Sequence, residues 1–167
     1  AEESQAAEAL VVGEDLGTVQ PEVREELRRR RVLSYRLLWF EAGPPRRYPH
    51  RALAAVTTHD LPTVAGLWTG ADQRAMDAAG LHPNLAASRA IVERMSHLSG
   101  VATGAPPGAA VLGAYRALRR SPSRLLAATL EDALVVTERP NMPGTVNEWP
   151  NWSIALPGGL EALRRSR

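Results

Sequence analysis

Cysteine is absent from the 167 residues, which excludes a disulfide scaffold, a thiolate zinc site and a cysteine nucleophile. Lysine is absent too: all 20 basic residues are arginine, and against 18 acidic residues they leave a net charge of only +2. The pI near 9.6 therefore reflects arginine holding its proton at high pH, not a strong positive field at neutrality. That balance argues against nucleic acid as a partner, as does an aromatic content of 5%, too low for a stacking surface beside a basic patch. No apolar run reaches the roughly 18 residues of a membrane span, so no transmembrane helix is expected. The acidic, Ala-rich start is unlike a signal peptide, and a cytoplasmic location is the default expectation. The first residue is Ala1 rather than Met, as expected of a chain that is processed or cut from something longer.

What is present is an ordinary globular composition, 44% hydrophobic and 23% charged. One domain over residues 1–167 with no internal boundary is expected, since no linker interrupts the chain. Leu10-Val11-Val12-Gly13 reads as a short buried strand. Pro21 then opens a helix with Glu22, Glu25 and Glu26 early and Arg28 to Arg31 late, the order the helix dipole favours. The arginine run is best read as a solvated helix end. Ser34 to Phe40 is a second strand candidate, stopped by Gly43-Pro44-Pro45, and Ala54 to Thr58 is a third. Helical spacing follows at Leu85, Ile91, Val92, Met95 and Leu98, and again at Val111, Leu112, Tyr115 and Leu118. Leu125 to Leu134 fits either a helix or a strand at 125–128 followed by a helical turn. Strands alternating with helices predict an α/β fold with a parallel sheet.

Polar residues gather just after the apolar runs, where parallel α/β folds carry their chemistry. Glu14 follows the first run and is a candidate general acid, because a desolvated carboxyl holds its proton to higher pH. Capping the next helix or pairing with an arginine is the competing role for Glu14 or Asp15. Asp60 follows the third run and can bind sugar hydroxyls or stabilise developing positive charge, with His59 donating beside it; a local turn network is the alternative. His50, His82 and His97 are scattered, so no metal site is expected. Trp39, Phe40, Trp149 and Trp152 suit a carbohydrate cleft, where aromatic faces pack on sugar rings, though core packing is the commoner fate. Residues 139–152 (RPNMPGTVNEWPNW) read as an ordered functional loop.

Three segments together resemble one enzyme family. Val12-Gly13-Glu14-Asp15-Leu16-Gly17-Thr18 with Pro21-Glu22-Val23, then Thr57-Thr58-His59-Asp60, then Pro140 to Thr145 with Glu148 to Trp152, resemble in order the motifs of the 4-alpha-glucanotransferases of glycoside hydrolase family 77. The Leu38-Trp39-Phe40-Glu41 and Leu61 to Gly66 segments resemble its actinobacterial branch. The resemblance implies the C-terminal part of a (β/α)8 barrel, about strands 5–8, that acts on α-1,4-glucans and maltooligosaccharides with no cofactor. It implies Glu14 as the general acid/base and Asp60 as the carboxylate that binds and distorts the sugar. His59, Asp15 and Asn141 would line the donor side and Phe40 the acceptor side. It also implies a nucleophilic aspartate upstream of the glutamate, yet none of the 13 residues before Glu14 is Asp. The expectation is a fragment, inactive alone, that self-associates or pairs with a missing barrel half. The alternative is a catalytically dead carbohydrate-binding or interaction module.

Overall fold

The computed structural model describes residues 2–165. Eight helices and three strands are named here in chain order: α1 (Glu2–Ala6), α2 (Pro21–Arg29), β1 (Ser34–Leu37), β2 (Ala52–Ala55), α3 (Val64–Thr69), α4 (Ala71–Ala78), α5 (Leu85–Ser99), α6 (Pro107–Leu118), β3 (Leu125–Ala127), α7 (Leu130–Ala133) and α8 (Leu160–Arg165). They fall into two compact units, one of Ala1–Val56 with Ala117–Ala127, the other of Thr57–Arg116 with Ala128–Arg167.

The first unit holds a parallel sheet in the order β1-β2-β3. Ser34 pairs with Ala52 and Leu37 with Ala55; Leu53 pairs with Leu125 and Ala55 with Ala127. The expected strand at Leu10–Gly13 contracts to one parallel bridge, Val12 to Leu33. Gly13 N–H donates to Leu33 and Leu33 N–H to Val11, at 2.8 and 2.9 Å. A Cβ on Gly13 would lie 3.1 Å from both methyls of Leu27, so the glycine lets α2 settle close against this segment. The second expected strand ends three residues early. After Leu37 the chain turns, with Phe40 and Glu41 N–H both donating to the Leu37 carbonyl. Leu37, Leu38 and Trp39 are buried in succession. Trp39 therefore belongs to the core and not to a cleft, and its indole nitrogen has no partner among the described residues.

The third strand lies two residues earlier than its β-branched residues suggest, and the hydroxyls explain why. Thr57 donates its hydroxyl to the Pro62 carbonyl at 2.9 Å, and the Thr58 hydroxyl accepts from Asp60 N–H at 3.3 Å. Local side-chain bonds thus replace the ladder and turn the chain into a loop. The ambiguity at 125–134 resolves as strand and helical turn, β3 then α7, because Thr129 caps α7 by accepting from Asp132 N–H. On α2, Glu25 pairs with Arg28, and Glu26 with Arg29 and Arg30. The two guanidiniums hold the Glu26 carboxyl at about 2. The arginine run is the solvated helix end that the sequence suggested.

In the second unit, Thr63 caps α3: its hydroxyl accepts from Gly66 N–H at 2.9 Å and donates to the Val136 carbonyl at 2.7 Å. Replacing Thr63 with alanine removes a buried cap and leaves that carbonyl short of a donor. The expected cost is about 1–2 kcal/mol, read as a lowered urea midpoint at unchanged slope. Gly66 beside it tolerates no side chain, since its Cβ would stand 2.2 Å from the Thr137 carbonyl oxygen.

Asp132, fully buried, joins three pieces of this unit. Its carboxyl accepts from Val64 N–H at 2.8 Å and from the Tyr115 hydroxyl at 2.8 Å. Burial pushes the carboxyl above its ordinary range; the bonds from Val64, Tyr115 and Thr129 oppose that, and the Glu131 charge adds to it. Burial pushes the Tyr115 phenol up as well. A carboxyl raised on folding means that the native state binds the proton more tightly than the unfolded state. Stability then falls as pH rises from the unfolded value near 4 through the raised folded one. Asp132→Asn keeps the shape without the charge. Urea titrations at stepped pH should show the variant gaining on the wild type upward from about pH 4, and a difference flat with pH would refute the assignment.

Candidate functional site

Glu14 and Asp15 sit side by side and have opposite surroundings. Asp15 is 2% exposed. One carboxylate oxygen accepts from Tyr35 N–H at 2.7 Å, and the other faces Arg36 at 3.5 Å and Arg24 at 3.7 Å. Arg24 also donates to the carbonyls of Asp15 and Gly17. The buried carboxylate thus ties the start of β1 and the middle of α2 to one loop, and that loop presents Glu14. Glu14 itself is exposed. The flanking residues Leu10 and Val11 are exposed as well, at 49% and 46%, so the burial expected from apolar neighbours is not seen among the described residues. Tyr35 is nearby: burial pushes its phenol up, and the Glu14 charge adds to the shift. Phe40, at the turn beyond β1, is 54% exposed.

His59, Asp60 and Asn141 belong to the second unit and meet. The Asn141 amide donates to Oδ1 of Asp60 at 2.6 Å, and His59 Nε2 lies 3.4 Å from Oδ2. Each oxygen of the carboxylate therefore has its own partner while the group stays half exposed. The bond to Asn141 spans 81 residues of sequence, so the His59-Asp60 pair is more than the local turn network that its spacing allowed. Nearby, Arg139 is buried and forms a two-pronged ion pair with Asp72, at 2.6 and 2.5 Å. Its remaining nitrogen donates to the Asp60 carbonyl at 3.3 Å.

The loop after Arg139 is stitched by its own motif residues. Trp149 donates its indole N–H to the Arg139 carbonyl at 3.1 Å, and Trp152 N–H donates to the Pro140 carbonyl at 2.8 Å. Asn151 accepts from Met142 N–H and donates to the Thr145 hydroxyl. Glu148 accepts from the N–H groups of Val146 and Asn147, which hold its carboxyl below the usual range. Asn151 and Trp149 thus act as braces, and Asn141 and Trp152 are what the braces present. Arg139 and Asp72 carried no signal in the sequence, because 67 residues separate them and neither lies in a spacing that marks an ion pair. Among the described residues no three His, Asp or Glu side chains cluster as a metal site would require.

Residues 1–160 match the protein family described as 4-alpha-glucanotransferase. The 4-alpha-glucanotransferase of Mycobacterium tuberculosis is 42% identical over 93% of this chain, and that of Haemophilus influenzae is 31% identical over 92%. The chain spans about a quarter of the length of these relatives, 24% and 25%. Among solved structures, amylomaltase from Corynebacterium glutamicum superposes with a TM-score of 0.75 at 29% identity, over 90% of this chain and 25% of that one. Amylomaltase from Streptococcus agalactiae, in complex with acarbose, shares the fold at a TM-score of 0.64 and 18% identity.

Proposed function

Because the chain belongs to the 4-alpha-glucanotransferase family, we propose that it transfers α-1,4-glucan segments between maltooligosaccharides by a retaining double displacement. The observation that carries this reading is the oriented carboxylate of Asp60, held by Asn141 and His59 out of a motif that the family match includes. The parallel succession Val12, β1, β2 and β3 is read as four consecutive strands of a (β/α)8 barrel, supported by the superposition on amylomaltase. Its two end segments are where further strands would pair.

In this reading Glu14 protonates the departing glycosidic oxygen and then, as a base, takes the proton from the incoming sugar hydroxyl. Asp60 stabilises the positive charge that develops at the oxocarbenium-like transition state, with His59 and Asn141 fixing its direction. Asp15 acts at one remove: it anchors the loop that presents Glu14. Phe40 offers an apolar face to the acceptor. The covalent intermediate needs a carboxylate nucleophile about 5–5.5 Å from the acid/base. No Asp precedes Glu14 in these 167 residues, so in this reading they supply the acid/base part of the cycle and an aspartate nucleophile comes from outside them.

Maltotriose disproportionation tests the reading. The chain alone should show no turnover, and joining it to an upstream barrel half from a family member should restore transfer that Glu14→Gln lowers by about 10²- to 10⁴-fold. Glucan binding with no transfer in the joined protein would instead indicate a carbohydrate-binding module.

A further inference from the structure

Trp152 is 64% exposed, unusual for so large an apolar side chain. Its backbone adopts φ = +61°, a left-handed conformation that a bulky residue rarely takes. The strain is held in place from several directions. Trp152 N–H is bonded to Pro140, Asn151 N–H to Trp149 and Ser153 N–H to Pro150, while the Asn151 side chain grips Met142 N–H. Strain maintained this firmly clusters at sites where it has a use. What it achieves here is visible: the indole leans over His59, with ring centroids 5.2 Å apart and planes inclined at 48°. His59 is in turn paired with one oxygen of Asp60, and Asn141 donates to the other. An exposed apolar ring thus stands beside an oriented carboxylate, an imidazole and an amide. A pyranose ring has the matching chemistry, with an apolar C–H face and a rim of hydroxyls.

We propose that Trp152 is the stacking platform for a glucose ring of a maltooligosaccharide, whose rim hydroxyls meet His59, Asp60 and Asn141. The proposal rests on the function read above and adds a binding residue to it. The indole packs on the C–H face and excludes water from one side of the sugar, which strengthens the hydrogen bonds at the rim. Trp149 differs, since its indole is spent on the Arg139 carbonyl.

The deciding variant is Trp152→Gly. Glycine accepts the left-handed backbone without strain, so the fold should be unharmed or firmer while the platform is gone. Calorimetric titration of the purified protein with maltoheptaose should show affinity about ten- to a hundredfold weaker, the loss expected when an aromatic burial is removed. Trp152→Phe should stay within about threefold of wild type. It should also lose the tryptophan emission change that maltoheptaose causes, although Trp39, Trp68 and Trp149 remain. Wild-type affinity in Trp152→Gly, with binding lost in Asp60→Ala, would overturn the platform and leave the functional reading standing. No maltoheptaose binding by the wild-type chain, or binding unchanged in both Trp152→Gly and Asp60→Ala, would overturn the platform, whereas the functional reading falls only if the joined protein also fails to transfer.

Discussion

Replacing Arg139 with alanine should cost about 3–5 kcal/mol of unfolding free energy, because it strands a charge in the interior. Asp72, its partner, is 4% exposed, and both of its carboxylate oxygens are taken by the guanidinium. Among the described residues no other cation pairs with it. The effect should register as a large drop in the urea midpoint. Asp72→Asn should cost less than Arg139→Ala, since an amide keeps one acceptor for the guanidinium. The paired change Arg139→Met with Asp72→Leu should recover much of the loss, because two apolar residues of similar volume replace a buried ion pair at little cost. What it should not recover is the bond from Arg139 to the Asp60 carbonyl. Glucan affinity should therefore stay depressed in the paired variant while stability returns. A paired variant that regains both would show that Arg139 only fills space.

The features legible in the sequence were those with a local cause. Pro21 with its acidic first turn and basic last turn marked α2, and the helical spacing from Leu85 marked α5. The motif residues marked Glu14, His59 and Asp60 because each follows an apolar run. What escaped depends on partners distant in sequence. The Val12 segment has strand chemistry but makes only one bridge, since strand length depends on its neighbour and not on its own propensity. The end of β2 was misplaced because Thr57 and Thr58 favour strands by shape and turns by hydroxyl, and only the Pro62 carbonyl decides between them. α3 and α4 were not delimited, since Gly66 and Gly70 punctuate them and Asp72 occupies a buried face of α4. The burial that apolar sequence neighbours suggest for Glu14 is not seen among the described residues for a related reason: Leu10 and Val11, near it in sequence, face solvent.

That exposure sharpens what Glu14→Gln should do in a transfer-competent polypeptide carrying this chain. An acid/base in a buried pocket is tuned by desolvation; Glu14 is instead presented by a loop that the buried Asp15 anchors to Tyr35, Arg24 and Arg36. Its proposed contribution is placement. General acid/base catalysis supplies about 10²- to 10⁴-fold, so maltotriose disproportionation should fall by about that factor in Glu14→Gln. The loss should depend on the leaving group. Fluoride leaves a glucosyl fluoride without a proton as the carboxylate bonds to the anomeric carbon, so formation of the covalent intermediate from it should survive the substitution. Transfer to a sugar acceptor, which needs a base, should stay slow, and azide, which needs none, should restore turnover. Asp15→Asn provides the contrast: it weakens the anchor and displaces the glutamate without removing it. Its deficit should therefore run in the same direction, larger for maltotriose than for fluoride acceptance, but smaller than that of Glu14→Gln because the carboxyl is still present. Equal losses on both substrates in Glu14→Gln would mean that the carboxyl serves the loop and not the proton, and the acid/base role would have to be sought elsewhere.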